Sequence, residues 1–236
     1  MSKKKNNFKK TFKKIWYFIW EDDSILSWIV NIILAFILIK FIVFPGLSLL
    51  LGTSHPVVAV VSGSMEHKTV PECIQTATIS GNEFCVKRGD KYQLCNSIFD
   101  EKQKSTYDLF WSTCGYLYEE LDIEKSQFSK FSFKNGFNTG DIIVLNGKKP
   151  KDLKIGDVIV FQATKPDPII HRIIQKKETG GVYFFTTKGD HNPGIIPFEE
   201  NIPQDRIIGK ALFRIPYLGY IKIWFVEILR YIGVLK

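Results

Sequence analysis

The chain has 236 residues, of which 45% are apolar, 14% aromatic and 24% charged, with a mean hydropathy of −0.02. The aromatic content excludes a disordered chain, the charged content excludes a multi-span transporter, and the length allows one medium domain plus an accessory segment. The net charge of +8 suggests nucleic acid, yet seven lysines and no acid lie within residues 1–14, and the remaining chain carries 25 basic against 24 acidic residues. A nucleic-acid-binding domain spreads its basic residues over a folded face. This excess is a tail, and no nucleic-acid partner is expected.

Residues 1–24 read as a basic cytoplasmic arm. Within it, FKKTFKKIWYFIW alternates basic pairs with aromatics, as a helix lying on an anionic lipid surface does. Residues 25–51 hold the longest apolar run, uncharged from Ile25 to Ile39, interrupted once by Lys40 and continuing to Leu51. That exceeds the roughly 20 residues a bilayer requires. Lys40 can snorkel to the interface or face protein or water. Pro45 and Gly46 are expected to kink or end the helix. A cleaved signal peptide needs an apolar stretch of only about 7–15 residues and a small-residue cleavage site, and no Ala-x-Ala follows this one. The run reads as an uncleaved transmembrane anchor rather than a buried core helix. Its lysines stay cytoplasmic, which puts the chain beyond about residue 52 on the extracytoplasmic side.

PVVAVVSG at 56–63 reads as a buried strand bounded by Pro56 and Gly63. Residues 67–137 differ in texture and contain all four cysteines, Cys73, Cys85, Cys95 and Cys114. There, Tyr107, Phe110, Trp111, Cys114, Leu117, Tyr118 and Leu121 fall on one helical face, with Ser105 and Asp108 as an N-terminal cap. Core packing explains this aromatic stripe most simply. A surface for a peptide or the membrane is the other reading. Cysteines outside the membrane suggest two disulfides, with three connectivities left open. Zinc is the rival, but no Cys-x-x-Cys pair occurs and the histidines lie elsewhere, so no metal or other cofactor is expected.

Strands resume in GDIIVLNGKKPKDLKIGDVIVFQ, where IIVL and VIVF each follow a Gly-Asp turn. IIHRIIQ and VYFFTT form a pair about Gly180-Gly181, and IIGKALFRI adds another strand. The fold class is mainly β, an antiparallel sheet or barrel-like core over 56–66 and 138–214, with a partly helical inserted cap at 67–137. The segment 215–236 reads as a membrane-associated helix. Lys222, Glu227 and Arg230 share one side of it, leaving Ile221, Trp224, Phe225, Ile228 and Leu229 mainly on the rest. Three ionisable groups near a bilayer centre are costly, so an interfacial position is favoured over a second span held by a partner subunit.

The histidines are His55, His67, His171 and His191, and a lone histidine is most often structural. His171 ends PDPIIH, beside Arg172 and between apolar pairs. A histidine can take a proton from a serine hydroxyl at ordinary pH. Ser64, in VVSGSME, has the exposed turn and small neighbours such a serine needs. Gly63 supplies the turn, and a backbone N–H beside Ser64 can face a developing oxyanion. In KGDHNPG, Asp190 can orient an imidazole or cap its turn.

As an ordered set behind an N-terminal anchor, SGSM (62–65), GDIIV and GDVIVF, HRI (171–173) and KGDHN (188–192) resemble the membrane-bound signal peptidase I family in its archaeal and endoplasmic-reticulum-type branch. The resemblance covers roughly 25–66 and 138–220. It implies a serine endopeptidase with Ser64 as nucleophile, His171 as general base and Asp190 as the acid. Ser62 would assist the Ser64 main-chain N–H in the oxyanion hole. The bacterial branch uses a lysine as base; Lys165 and Lys176 lie nearby, but the HRI context favours His171. The implied substrates are signal peptides of exported preproteins, with small residues one and three positions before the cut. The implied setting is the outer face of a cell membrane or ER-type membrane, in contact with lipid and with partner subunits or secretion machinery. Two departures stand out. A second family aspartate is replaced by Ile196, where Glu199 could take its place, and the segment after Ser64 is far longer than the family's usual connection. The alternative is a catalytically inactive, membrane-anchored binding module. A sortase-like transpeptidase would need a reactive cysteine with a basic partner.

Overall fold

The basic arm and the apolar run are both helical in the computed structural model, which describes residues 2–79, 82–163, 168–231 and 233. These helices make up one of two units, Met1–Leu50, the other being Leu51–Lys236. Along α1 (Ser2–Trp20), Phe12, Trp16 and Trp20 meet as tilted rings at i, i+4 spacing with centroids 6.2 and 5.8 Å apart. Ser24 caps α2 (Ile25–Leu38) by accepting the Ser27 N–H at 3.2 Å. The last carbonyls of α1 lack intrahelical donors. The Ser27 hydroxyl donates to Phe18 O at 2.5 Å and the Asn31 amide to Ile19 O at 2.8 Å, so two polar side chains of the apolar run are used there.

The helix does not end at Pro45-Gly46. A π-helical turn at Ile39–Val43 leads into α3 (Phe44–Leu51), giving a continuous helical segment Ile25–Leu51 of 27 residues. Proline has no N–H for the carbonyl four residues back and its ring crowds that carbonyl. Widening the preceding turn relieves both problems without breaking the rod. By length and composition this segment can cross a membrane, and Ser27 alone among its residues is buried.

The second unit is mainly β, as the sequence implies. β1 (Val57–Ala59) opens it. The chain then makes β2 (Val70–Ile79), β3 (Asn82–Leu94) and β4 (Ser97–Phe99), followed by α4 (Tyr107–Cys114), α5 (Tyr116–Glu119) and α6 (Lys125–Phe128). β5 (Ile142–Asn146), β6 (Val158–Phe161), β7 (Ile169–Thr179), β8 (Val182–Lys188), β9 (Ile202–Pro203) and β10 (Ile207–Ile215) complete the strands before α7 (Tyr220–Tyr231). A curled antiparallel sheet has the order β1-β5-β10-β6-β7-β8-β9, and β2-β3-β4 form a second sheet. Two Gly-Asp turns start β5 and β6. Gly140 and Gly156 adopt φ of 88° and 90°, and the following Asp141 and Asp157 accept the N–H groups of Asn138 and Lys154 at 2.9 and 3.0 Å. All four β6 residues are buried. Val158 and Val160 join one core with Val60, Met65, Ile143 and Leu145, while Ile159 and Phe161 join another with Leu153, Ile173, Phe185 and Ile202. A strand covered on both faces reads as an unbroken apolar run, which is how VIVF reads.

Leu94, Phe110, Trp111, Cys114, Tyr118, Ile123 and Phe128 of the 67–137 segment form a core together with Ile174 of β7, so the aromatic stripe is largely packed rather than exposed. The cap of α4 is Thr106, whose hydroxyl accepts the Leu109 N–H at 3.1 Å. Ser105, the residue indicated by spacing, instead donates to His67 O at 3.1 Å. The cysteines pair as Cys73–Cys85 and Cys95–Cys114. Peptide mapping of alkylated, unreduced protein is expected to recover both linkages. Removing the Cys95–Cys114 bridge, which spans 19 residues, should lower the unfolding free energy by about 3 kcal/mol in denaturant titration.

Candidate active site

Ser64 sits on a tight turn just past β1. Val60 N–H donates to Asp141 O, and Gly140 N–H to Val60 O, both at 2.9 Å, before the chain reverses at Gly63–Glu66. Met65 is buried in the core, and its carbonyl accepts the Phe137 N–H at 3.1 Å. The Glu66 carboxylate accepts the Thr139 N–H at 2.9 Å and pairs with Lys68 at 3.2 Å, while lying against Gly63. With its neighbours held this way, Ser64 is half-buried. Its Oγ is 3.2 Å from Ser62 Oγ.

His171 comes from the other end of the sheet path, opposite Ile159 on β6, and is 4% exposed. Its Nδ1 hydrogen-bonds Glu199, a fully buried residue on the 3-10 turn Pro197–Glu199. Glu199 is itself fixed by the Thr187 hydroxyl at 3.4 Å and the Ile196 N–H at 3.2 Å. A carboxylate accepting from Nδ1–H leaves Nε2 as the basic nitrogen. That nitrogen lies against Gly189, where an added Cβ would be 2.9 Å from both His171 Nε2 and Ser64 O. Glycine thus lets the imidazole and the serine main chain approach one point. His191 adds to this clamp, its N–H donating to Ser64 O at 2.8 Å and its Nδ1 lying 3.0 Å from Glu66 O. Among the described residues Ser64 Oγ bonds Ser62 rather than His171.

Asp190 follows Gly189, but its carboxylate is not what bonds His171. Arg172 Nε and Nη2 donate to it at 2.9 and 2.7 Å, the Tyr118 hydroxyl at 2.7 Å, and His67 Nε2 lies 2.7 Å away. Burial alone would raise the carboxyl pKa. The Arg172 charge and the hydrogen bonds from His67 and Arg172 override it and hold the group well below the usual carboxylate range. Burial lowers His67 despite Asp190, lowers His191, and pushes Lys188 down to about 8. Two buried cations, Arg172 and Lys188, thus face two buried anions, Asp190 and Glu199.

The structure therefore brings together Ser62, Ser64 and His171, with Asp190 one step removed and Glu199 on the imidazole. Lys176 is held by the carbonyls of Lys151 and Leu153 at 2.7 and 2.8 Å, and Lys165 lies outside the described residues. His55 is bonded to Ser54. The residues that sequence reasoning missed are Arg172, His67 and Tyr118. Arg172 carried a signal, since a charge between apolar pairs on a buried strand must have a buried counter-charge.

Serine, imidazole and buried carboxylate thus lie near one another on an antiparallel β framework. The chain is related to catalytic subunits of signal peptidase complexes. It is 30% identical over 99 residues to the signal peptidase complex catalytic subunit sec11 of Sclerotinia sclerotiorum and 32% identical over 101 residues to SEC11 of Colletotrichum graminicola, covering 39% of this chain and 58% of each relative. It is 30% identical over 100 residues to SEC11C of Homo sapiens, covering 39% of this chain and 52% of that one. The chain thus spans little more than half the length of the curated relatives it matches. No protein-family model matches it.

The lowered pKa values fix the sign of the pH dependence. A group with a depressed folded pKa binds fewer protons folded than unfolded, so folding loses stability as pH falls below the unfolded value. The unfolding free energy should decline below about pH 6.5 through His67 and His191, and again below about pH 4 through Asp190. Urea titrations at pH 8, 5.5 and 3 check this; a flat profile between 8 and 5.5 contradicts it.

Proposed function

We propose that the protein is a signal peptidase-like serine endopeptidase that cleaves signal peptides from exported preproteins at the extracytoplasmic face of a membrane. The observation that carries the reading is the meeting of Ser64 and His171 at Gly189, with Glu199 on the far nitrogen of the imidazole. In this reading Ser64 attacks the scissile carbonyl while His171 Nε2 accepts the hydroxyl proton. Glu199 holds the tautomer and stabilises the imidazolium, and His171 then returns the proton to the leaving amine. The Ser64 N–H, assisted by the Ser62 hydroxyl, faces the oxyanion. The departed second acid of the family pattern is thereby replaced by Glu199, and Asp190 acts through structure rather than on the imidazole. The relatives' role as subunits of a complex supports partner subunits for this chain as well.

Membrane attachment follows from the same reading. Ile25–Leu51 anchors the chain with its lysines cytoplasmic. α7 exposes Ile221, Trp224, Phe225 and Ile228, an apolar side suited to the outer interface. A cysteine added after Lys236 should be labelled by an impermeant reagent from the outer side; labelling from the cytoplasmic side alone would mean that the segment crosses.

Cleavage of a purified preprotein, with alanine one and three positions before the cut, tests the chemistry. Ser64→Ala should abolish it, and His171→Ala and Glu199→Gln should each lower kcat by at least about a hundredfold. Lys176→Ala should leave it near wild type. Undiminished cleavage by Ser64→Ala would sink the assignment.

A further inference from the structure

His67 and Tyr118 both belong to the segment between the serine turn and β5, yet both end on Asp190. Four donor groups converge on that carboxylate, two from Arg172 and one each from His67 and Tyr118. Asp190 in turn lies between Gly189, packed on His171 Nε2 and Ser64 O, and His191, whose N–H holds Ser64 O. Its own N–H donates to Met65 Sδ at 3.4 Å. The position of one side chain therefore sets the main chain against which serine and imidazole meet.

We propose that His67 and Tyr118 are positioning residues for the Ser64–His171 pair, acting through Asp190, so that the inserted segment is part of the catalytic framework. The proposal rests on the reading of Ser64 and His171 given above. Three features support it. His67 lies three residues beyond Ser64, so its bond to Asp190 ties the serine turn to the loop across from it. Its ring stacks on buried Phe110 at 3.5 Å and 3°, and Nδ1 is buried with no hydrogen-bond partner among the described residues. An orphaned buried nitrogen is costly, and its retention indicates that the other nitrogen's bond matters. Tyr118 is fully buried against Phe128, with centroids 4.7 Å apart, and Cys95 Sγ lies 3.8 Å from Asp190 O. The core of the segment thus closes directly on the loop.

Preprotein cleavage by the full-length protein in detergent, with kcat and KM measured separately, tests this beside a Ser64→Ala control and thermal melts. Tyr118→Phe removes one oxygen and keeps the ring; it should lower kcat about tenfold while KM stays within about twofold. His67→Phe should lower kcat by about ten- to a hundredfold, and His67→Gln, which restores an N–H at similar reach, should recover it to within about threefold of wild type. Wild-type kcat in Tyr118→Phe and His67→Phe, with Ser64→Ala inactive, overturns the positioning role alone. Normal kcat per folded molecule, with losses matching the unfolded fraction in the melts, overturns it equally. Activity retained in Ser64→Ala removes the reading on which it stands.

Discussion

A guanidinium taken wholly out of water must have its donors met, because an unpaired buried charge costs several kcal/mol. Arg172, fully buried, meets this demand from four residues in three parts of the chain. Nε and Nη2 bond Asp190, Nη1 bonds Ser132 O and Gly156 O at 2.7 and 2.9 Å, and Nη2 also bonds Phe133 O at 3.0 Å. Phe128 and Phe131 lie over its faces with centroids 4.9 and 5.9 Å away. The turn before β6, the end of the inserted segment and the loop after β8 are thus located by one side chain. That side chain is the immediate neighbour of His171 on β7.

This arrangement divides labour between two acids. Asp190 pairs with Arg172 and with the His67 ring, whereas Glu199 meets the His171 imidazole and is held by a hydroxyl and a main-chain N–H. Lys188, buried beside them with its pKa lowered by burial, donates to Gly189 O at 3.0 Å and lies over the Tyr118 ring. Glu199 reaches the ring because it sits on the 3-10 turn at Pro197–Glu199, which brings its carboxylate back to His171.

What could be read from the sequence tracks how local its cause is. IIVL and VIVF were legible because β-branched runs and Gly-Asp turns are decided within a few residues. The serine turn and the HRI strand were legible for the same reason. The sheet β2–β3–β4 was not: its residues are largely polar and its ladder is irregular, with register shifts at Pro71/Cys73, Cys73/Gln75 and Gln75/Thr76. The cap moved from Ser105 to Thr106 because a carbonyl 38 positions away claimed the serine hydroxyl. The partners of Asp190 escaped for a similar reason. His67 is 123 positions from it and Tyr118 is 72, and no local pattern marks such pairs.

Those separations have a consequence in time. Ser64 leaves the ribosome long before the residues that face it. With about 5–20 residues added per second, the 123 residues between His67 and Asp190 take on the order of ten seconds to make. Until then the apolar helix, the serine turn and much of the aromatic core at 94–128 can form, while Arg172, Gly189 and Glu199 do not yet exist. The nascent chain therefore presents its serine turn with nothing facing it, and that part of the fold closes only when almost all of the second unit has been made.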